Sequence, residues 1–91
     1  MTDYTLLSPA IRALQALDRT QRAQALAAIR SLMASPDVDG VVKRALPPPY
    51  RPGTRGGDIN GFHVIYTVQG EILLIHNISL GESMWMDDDD V

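Results

Sequence analysis

Two β-prone runs near the end of the chain constrain its fold more than any other feature. Phe62-His63-Val64-Ile65-Tyr66-Thr67-Val68 and Glu71-Ile72-Leu73-Leu74-Ile75-His76-Asn77-Ile78 flank Gln69-Gly70. β-Branched and aromatic residues at this density fit a pleated, half-buried surface. A short gap containing glycine fits a tight antiparallel turn. The spacing predicts a hairpin with Gln69-Gly70 as its turn. Tyr66 then opposes Leu73, Val64 opposes Ile75 and Phe62 opposes Asn77. One face carries Phe62, Val64, Tyr66, Leu73 and Ile75. The other keeps Ile65 and Leu74 and sets His63 opposite His76. Side chains alternate along a strand, so a one-residue change in the turn would move every pair.

The apolar face needs a cover, and the N-terminal half supplies one. Residues 3–7 read as a short opening strand. Ser8-Pro9 then starts a helix: a serine can cap the first free N–H, and a proline at the first helical position lacks the N–H that would go unpaired. Ala10, Ile11, Ala13, Leu14 and Leu17 recur at spacings of three and four, which makes one apolar face. Asp18-Arg19-Thr20 breaks the pattern, and either Asp18 or Thr20 can cap a second helix. Its face reads Ala23, Leu26, Ile29, Leu32 and Met33, with Arg22 and Arg30 outside it, and Pro36 stops it. Two short helices with so tight a connection form an antiparallel hairpin. The predicted fold class is therefore α+β, a two-helix antiparallel hairpin packed on one face of a small, mainly antiparallel β-sheet.

Residues 37–61 read as irregular. Prolines and glycines crowd Leu46-Pro47-Pro48-Pro49-Tyr50-Arg51-Pro52-Gly53, which forbids a helix and confines any strand to an edge near Tyr50. Charge gives this segment its character. The chain of 91 residues has a formal charge of −3, which argues against a nucleic-acid partner. Four of its eleven acids, however, are Asp87, Asp88, Asp89 and Asp90. Residues 1–86 hold eight bases against seven acids. Between Val41 and His63, Lys43, Arg44, Arg51 and Arg55 face only Asp58. The mean charge hides a basic middle and an acidic end.

The expected organisation is one domain over residues 1–80 and an acidic, flexible tail over 81–91. A chain this short supports one small core. No run reaches the roughly 18 apolar residues of a membrane span, and the first residues do not read as a secretory signal. The absence of cysteine excludes a disulfide scaffold, a thiolate metal site and a cysteine nucleophile, and fits a cytoplasmic location.

The order of elements and several local runs carry a family resemblance. They are Leu7-Ser8-Pro9-Ala10 leading into Ala13-Leu14-Gln15-Ala16-Leu17, and Arg22 opening a helix that ends Leu32-Met33-Ala34-Ser35-Pro36. Leu46-Pro47 with Tyr50-Arg51, Gly61-Phe62-His63-Val64-Ile65-Tyr66 and Leu74-Ile75-His76 complete the set. Over roughly residues 2–80 the chain resembles the RelE/ParE superfamily, the toxins of bacterial type II toxin–antitoxin systems. The resemblance implies a toxin whose partner is a cognate antitoxin that wraps it, as a homodimer or an antitoxin heterotetramer. RelE-like members are endoribonucleases (mRNA interferases) that cleave mRNA on the ribosome. ParE-like members poison DNA gyrase, and plasmid stabilisation is a common setting. The foremost expectation is RelE-like inhibition of translation. The alternatives are a gyrase poison without catalysis of its own, or a degenerate member acting as a protein-binding module.

Cleavage of this type uses the RNA's own 2′-hydroxyl as nucleophile. The protein must remove that proton, stabilise charge on the phosphorus and protonate the leaving oxygen. Lys43, Arg44, Arg51 and Arg55 are the candidate RNA-binding residues. His63 and His76, facing each other across the hairpin, are the candidate catalytic acid–base pair. His63 stands where RelE-like members usually carry an arginine. The usual basic end and its tyrosine have no counterpart after the last strand, where Ser79-Leu80-Gly81-Glu82-Ser83 follows. No third ligand has spacing to match the histidines, so neither metal nor cofactor is expected. The four aspartates could also fold onto the basic segment as a built-in anion and screen it from RNA. Unchanged RNA affinity at low salt after deletion of residues 87–91 would reject that role.

Overall fold

The computed structural model describes residues 3–80. The acidic stretch over 81–91, and the tail expected there, lies outside the described residues. The elements in chain order are β1 (Asp3–Leu6), α1 (Ser8–Ala16), α2 (Arg19–Ala34), β2 (Lys43–Ala45), β3 (Thr54–Ile59), β4 (Phe62–Gln69) and β5 (Ile72–Leu80). The strands form one sheet in the order β1-β5-β4-β3-β2. β1 runs parallel to β5, which is possible because both helices intervene; all other pairs are antiparallel. Both helices pack on one face, as the expected α+β architecture requires.

Local chemistry fixes the helix boundaries. Leu7, not Ser8, is the N-cap of α1, and Pro9 sits in the first turn. The Leu7 N–H donates to the Ile75 carbonyl at 2.9 Å, so the start of α1 is tied to β5. Asp18 caps α2 in a full capping box with Gln21, accepting from the Gln21 N–H at 2.7 Å. Arg22 lies outside the buried face, as expected, and has a local task. Its Nε and one terminal nitrogen donate to the Leu14 and Leu17 carbonyls, each at 3.1 Å. A cation is favoured at this C-terminal end of α1, where carbonyls lack intrahelical partners. The buried face of α2 is Ala25, Ala28, Ile29 and Leu32, and Ala23 is exposed. The small alanines let α2 approach the sheet closely.

The core joins Ala10, Leu14, Ala25, Ile29 and Leu32 to Phe62, Val64, Tyr66, Leu73, Ile75 and Ile78. The hairpin departs from its expected register in two ways. Gln69 pairs with Ile72, so the turn is Gly70-Glu71 rather than Gln69-Gly70. This slides the register by two and keeps the faces of β4 intact, because side chains alternate with period two. The second departure is a bulge: Tyr66 pairs with Ile75 but Ile65 pairs with Asn77, leaving His76 as the extra residue. It brings Ile78 into the core, and Asn77 is exposed instead of opposing Phe62.

The segment expected to be irregular supplies two strands. Asn60-Gly61, with φ of +54° and +80°, turns β3 directly into β4. A type I′ hairpin requires positive φ at both positions, which Asn-Gly supplies. Gly57 sits in β3 because space is short there: a Cβ would lie 3.3 Å from Lys43 Cγ and 3.5 Å from Leu32 Cδ2. Among the described residues, no helix is long and apolar enough to cross a membrane.

Candidate functional site

Among the described residues, the sheet has one face beneath the helices and one without them. Strand parity decides which charges reach each face. Arg55 pairs with Tyr66 and Lys43 with Gly57, so both lie on the helix side. Lys43 is buried, and its Nζ donates to the Ser35 carbonyl at 2.7 Å and to Ser35 Oγ at 3.2 Å. It thereby caps the C-terminus of α2. Arg55 donates to the Pro36 carbonyl at 2.8 Å, and the Tyr66 hydroxyl donates to the same oxygen at 2.9 Å. Burial raises the Tyr66 phenol above its ordinary 10.0, and the Arg55 guanidinium works against that rise. Two of the four candidate RNA-binding cations are thus engaged in fastening the chain beyond α2 to the sheet.

Asp39 completes that fastening. Its Oδ1 accepts from the Val41, Val42 and Lys43 N–H groups at 2.9, 2.7 and 2.9 Å. These three bonds favour the ionised form and hold its carboxyl well below the ordinary carboxylate value, with the Lys43 charge adding to the effect.

The helix-free face carries the other candidates. An open cleft of about 570 Å³ is lined by Tyr50, Arg51, Thr54, Ile65, His76 and Asn77, with Pro9 and Pro49 as walls. An adjoining depression of about 360 Å³ shares Arg51, Thr54 and His76 and adds Thr67. The His76 Nε2 and the Thr67 hydroxyl lie 2.7 Å apart. That bond orients the imidazole and leaves Nδ1 as its second functional nitrogen. Arg51 is exposed and makes no ion pair among the described residues. The site therefore holds a cation and an oriented imidazole around one recess.

The expected facing of His63 and His76 does not occur. His63 pairs with Ser79 on β5, and the bulge turns His76 toward Thr67. His63 and Thr67 stand four residues apart along β4, about 13 Å at the usual strand rise. One phosphate cannot span that gap. His63 instead meets β3. Its Nδ1 lies 2.7 Å from Asp58 Oδ1, and an Arg44 terminal nitrogen lies 3.7 Å from Asp58 Oδ2. With the carboxylate accepting, Nδ1 carries the proton and Nε2 is free to act. The His63 side chain is 14% exposed while Arg44 and Asp58 are 55% and 43% exposed, so the charged members face solvent.

Sequence reasoning missed Thr54, Thr67, Asp58 and Asn77. Thr67 shares parity with His63 and was within reach of the alternation pattern. Asp58 required recognition of β3, which Asn60-Gly61 signals. Asn77 became outward-facing only through the bulge, which no local residue pattern announced. No group of three or more His, Cys, Asp or Glu side chains that could hold a metal gathers among the described residues.

No protein-family profile matches the chain, and no curated protein matches it in sequence. Solved structures do. A chain of the RelBE2 toxin–antitoxin complex from Mycobacterium tuberculosis superposes with a TM-score of 0.70 at 18% identity, covering 86% of this chain and 95% of that one. The isolated RelE toxin of Escherichia coli gives 0.65 at 14% identity, covering 96% and 94%. The archaeal RelE–RelB complex from Pyrococcus horikoshii gives 0.64 at 16% identity, covering 87% and 93%. At such identities the likeness concerns the fold, and the fold is that of the RelE toxins.

Proposed function

We propose that this chain is the toxin of a type II toxin–antitoxin system, acting in the cytoplasm by cleaving mRNA on the ribosome and held in check by a cognate antitoxin. The observation that carries this is the meeting of Arg51 and His76 in one recess on the helix-free side of a RelE fold. The occurrence of similar folds in complexes of toxin with antitoxin supports the antitoxin as partner.

His76, oriented by Thr67, takes the proton from the RNA 2′-hydroxyl through its free nitrogen. The 2′-oxygen attacks phosphorus, the bond to the 5′-oxygen breaks, and the leaving oxygen is protonated from the open side of the cleft. Arg51 stabilises the extra charge on the phosphoryl oxygens. His63, held by Asp58, and Arg44 act further along the same face and hold adjoining RNA backbone. Lys43 and Arg55 contribute by holding the sheet to α2 rather than by touching RNA.

Induced expression in a bacterium tests this. Amino-acid incorporation and a DNA-damage reporter are followed together. An early block of incorporation, lost in His76→Ala and Arg51→Ala, is the expected result. A DNA-damage response without an early translation block would replace RNA by gyrase as the target, and neither response would leave a binding module.

A further inference from the structure

We infer that the larger cleft is a nucleobase subsite that selects the keto bases guanine and uracil over the amino bases adenine and cytosine. It rests on the assignment of RNA as the substrate and adds to it which part of the RNA the cleft reads.

The shape suits a base. Tyr50 is 45% exposed and stands beside the recess, with Ile65 and the two prolines as its other apolar surfaces. An exposed aromatic ring next to a cation is the arrangement on which unpaired bases stack. Arg51 also lines the recess, so a base there has its phosphate within reach of a guanidinium.

The polar groups decide which base. Asn77 would ordinarily offer both a donor and an acceptor. Here its Oδ1 accepts from the Ile78 N–H at 2.9 Å, which fills one of its two lone pairs, while both hydrogens of the Nδ2 amide have no partner among the described residues. Arg51 has donors only. The hydroxyls of Tyr50 and Thr54 can serve either way. The unpaired donors of Asn77 Nδ2 and Arg51 outnumber the one lone pair left on Asn77 Oδ1, so the recess asks for an acceptor. Guanine presents O6 and uracil presents O4 at the edge where adenine and cytosine present an amino group. An amino group facing Asn77 would leave two donors opposed and one bond unmade.

Titration of the full chain with GMP, UMP, AMP and CMP, followed by NMR at the Asn77 and Arg51 side chains, tests the inference. Ribose 5-phosphate serves as the base-free control. GMP and UMP are expected to bind about three- to tenfold tighter than AMP and CMP, the worth of one net hydrogen bond. Asn77→Asp keeps the acceptor for the Ile78 N–H and converts the free donor into an acceptor. It is expected to lower affinity for all four and to reverse the keto-to-amino ratio. Tyr50→Ala, on an exposed loop, is expected to weaken all four at least fivefold, roughly the lower worth of stacking one base. Equal binding of the four nucleotides, binding no tighter than ribose 5-phosphate, or an unchanged ratio in Asn77→Asp would overturn the inference. A translation block without base preference would remove the subsite alone. Base preference without a translation block would leave the subsite standing and remove mRNA cleavage.

Discussion

The Pro36 carbonyl accepts from both Arg55 and Tyr66, and a double-mutant cycle can measure what that shared acceptor is worth. Tyr66→Phe removes one donor at 2.9 Å and leaves the carbonyl bonded to Arg55 at 2.8 Å. The phenyl ring stays in the core, so the expected cost is that of one neutral hydrogen bond, about 0.5–1.5 kcal/mol. Arg55→Met removes a charge-assisted bond and leaves the tyrosine bonded, at an expected cost of about 1.5–3 kcal/mol. The double variant removes both donors and orphans a half-buried carbonyl. Its cost should exceed the sum of the singles by about 1 kcal/mol or more. For a chain of this size, each kcal/mol moves the melting midpoint by about 4–8 °C. Urea unfolding of the four proteins measures the coupling. Additive costs would mean that the second donor gains nothing in importance when the first is lost, and that the Pro36 carbonyl is not orphaned in the double variant.

Three further outcomes follow from the same geometry. Lys43→Met removes the buried cap of α2 and should cost about 2 kcal/mol, while Arg51→Met should stay within about 0.5 kcal/mol; thermal melts of the two variants separate a structural cation from a surface one. Asp39 has a depressed folded-state value, so its contribution is fully present above the ordinary 3.8 and is lost as pH falls below it. Asp39→Asn should therefore lower stability at neutral pH toward the value at low pH and so flatten the acid limb of the stability profile, as read by urea midpoints from neutral to acidic pH. Asp18→Ala should lower stability by about 1 kcal/mol through loss of the capping box, visible in the same melts.

Much of the fold was legible because it rests on periodicities. The three- and four-residue spacing of Ala10, Leu14 and Leu17 marked α1, and the alternation of Phe62, Val64 and Tyr66 marked the buried face of β4. The stop at Pro36 and the cap at Asp18 were equally local. β3 was hidden because Gly56 and Gly57 carry no β-propensity; they are glycines to let Leu46, His63, Lys43 and Leu32 approach. β2 was hidden because it is only three residues long. The site was legible in its residue types and not in its grouping. Arg51 and His76 meet through the bulge at His76 and through a loop far away in sequence. Lys43 and Arg55 were indistinguishable from Arg44 and Arg51 until strand parity sent the first two under the helices.

Mapping of mRNA 5′ ends in cells expressing the wild-type chain, His76→Ala and Arg51→Ala tests whether this cleft cleaves RNA. Discrete new ends within translated regions are expected from the wild type and should disappear in both variants, with the purified variants melting within a few degrees of the wild type. New ends that persist undiminished in His76→Ala and Arg51→Ala would contradict the placing of the chemistry in this cleft, and their absence from the wild type itself would contradict RNA cleavage altogether.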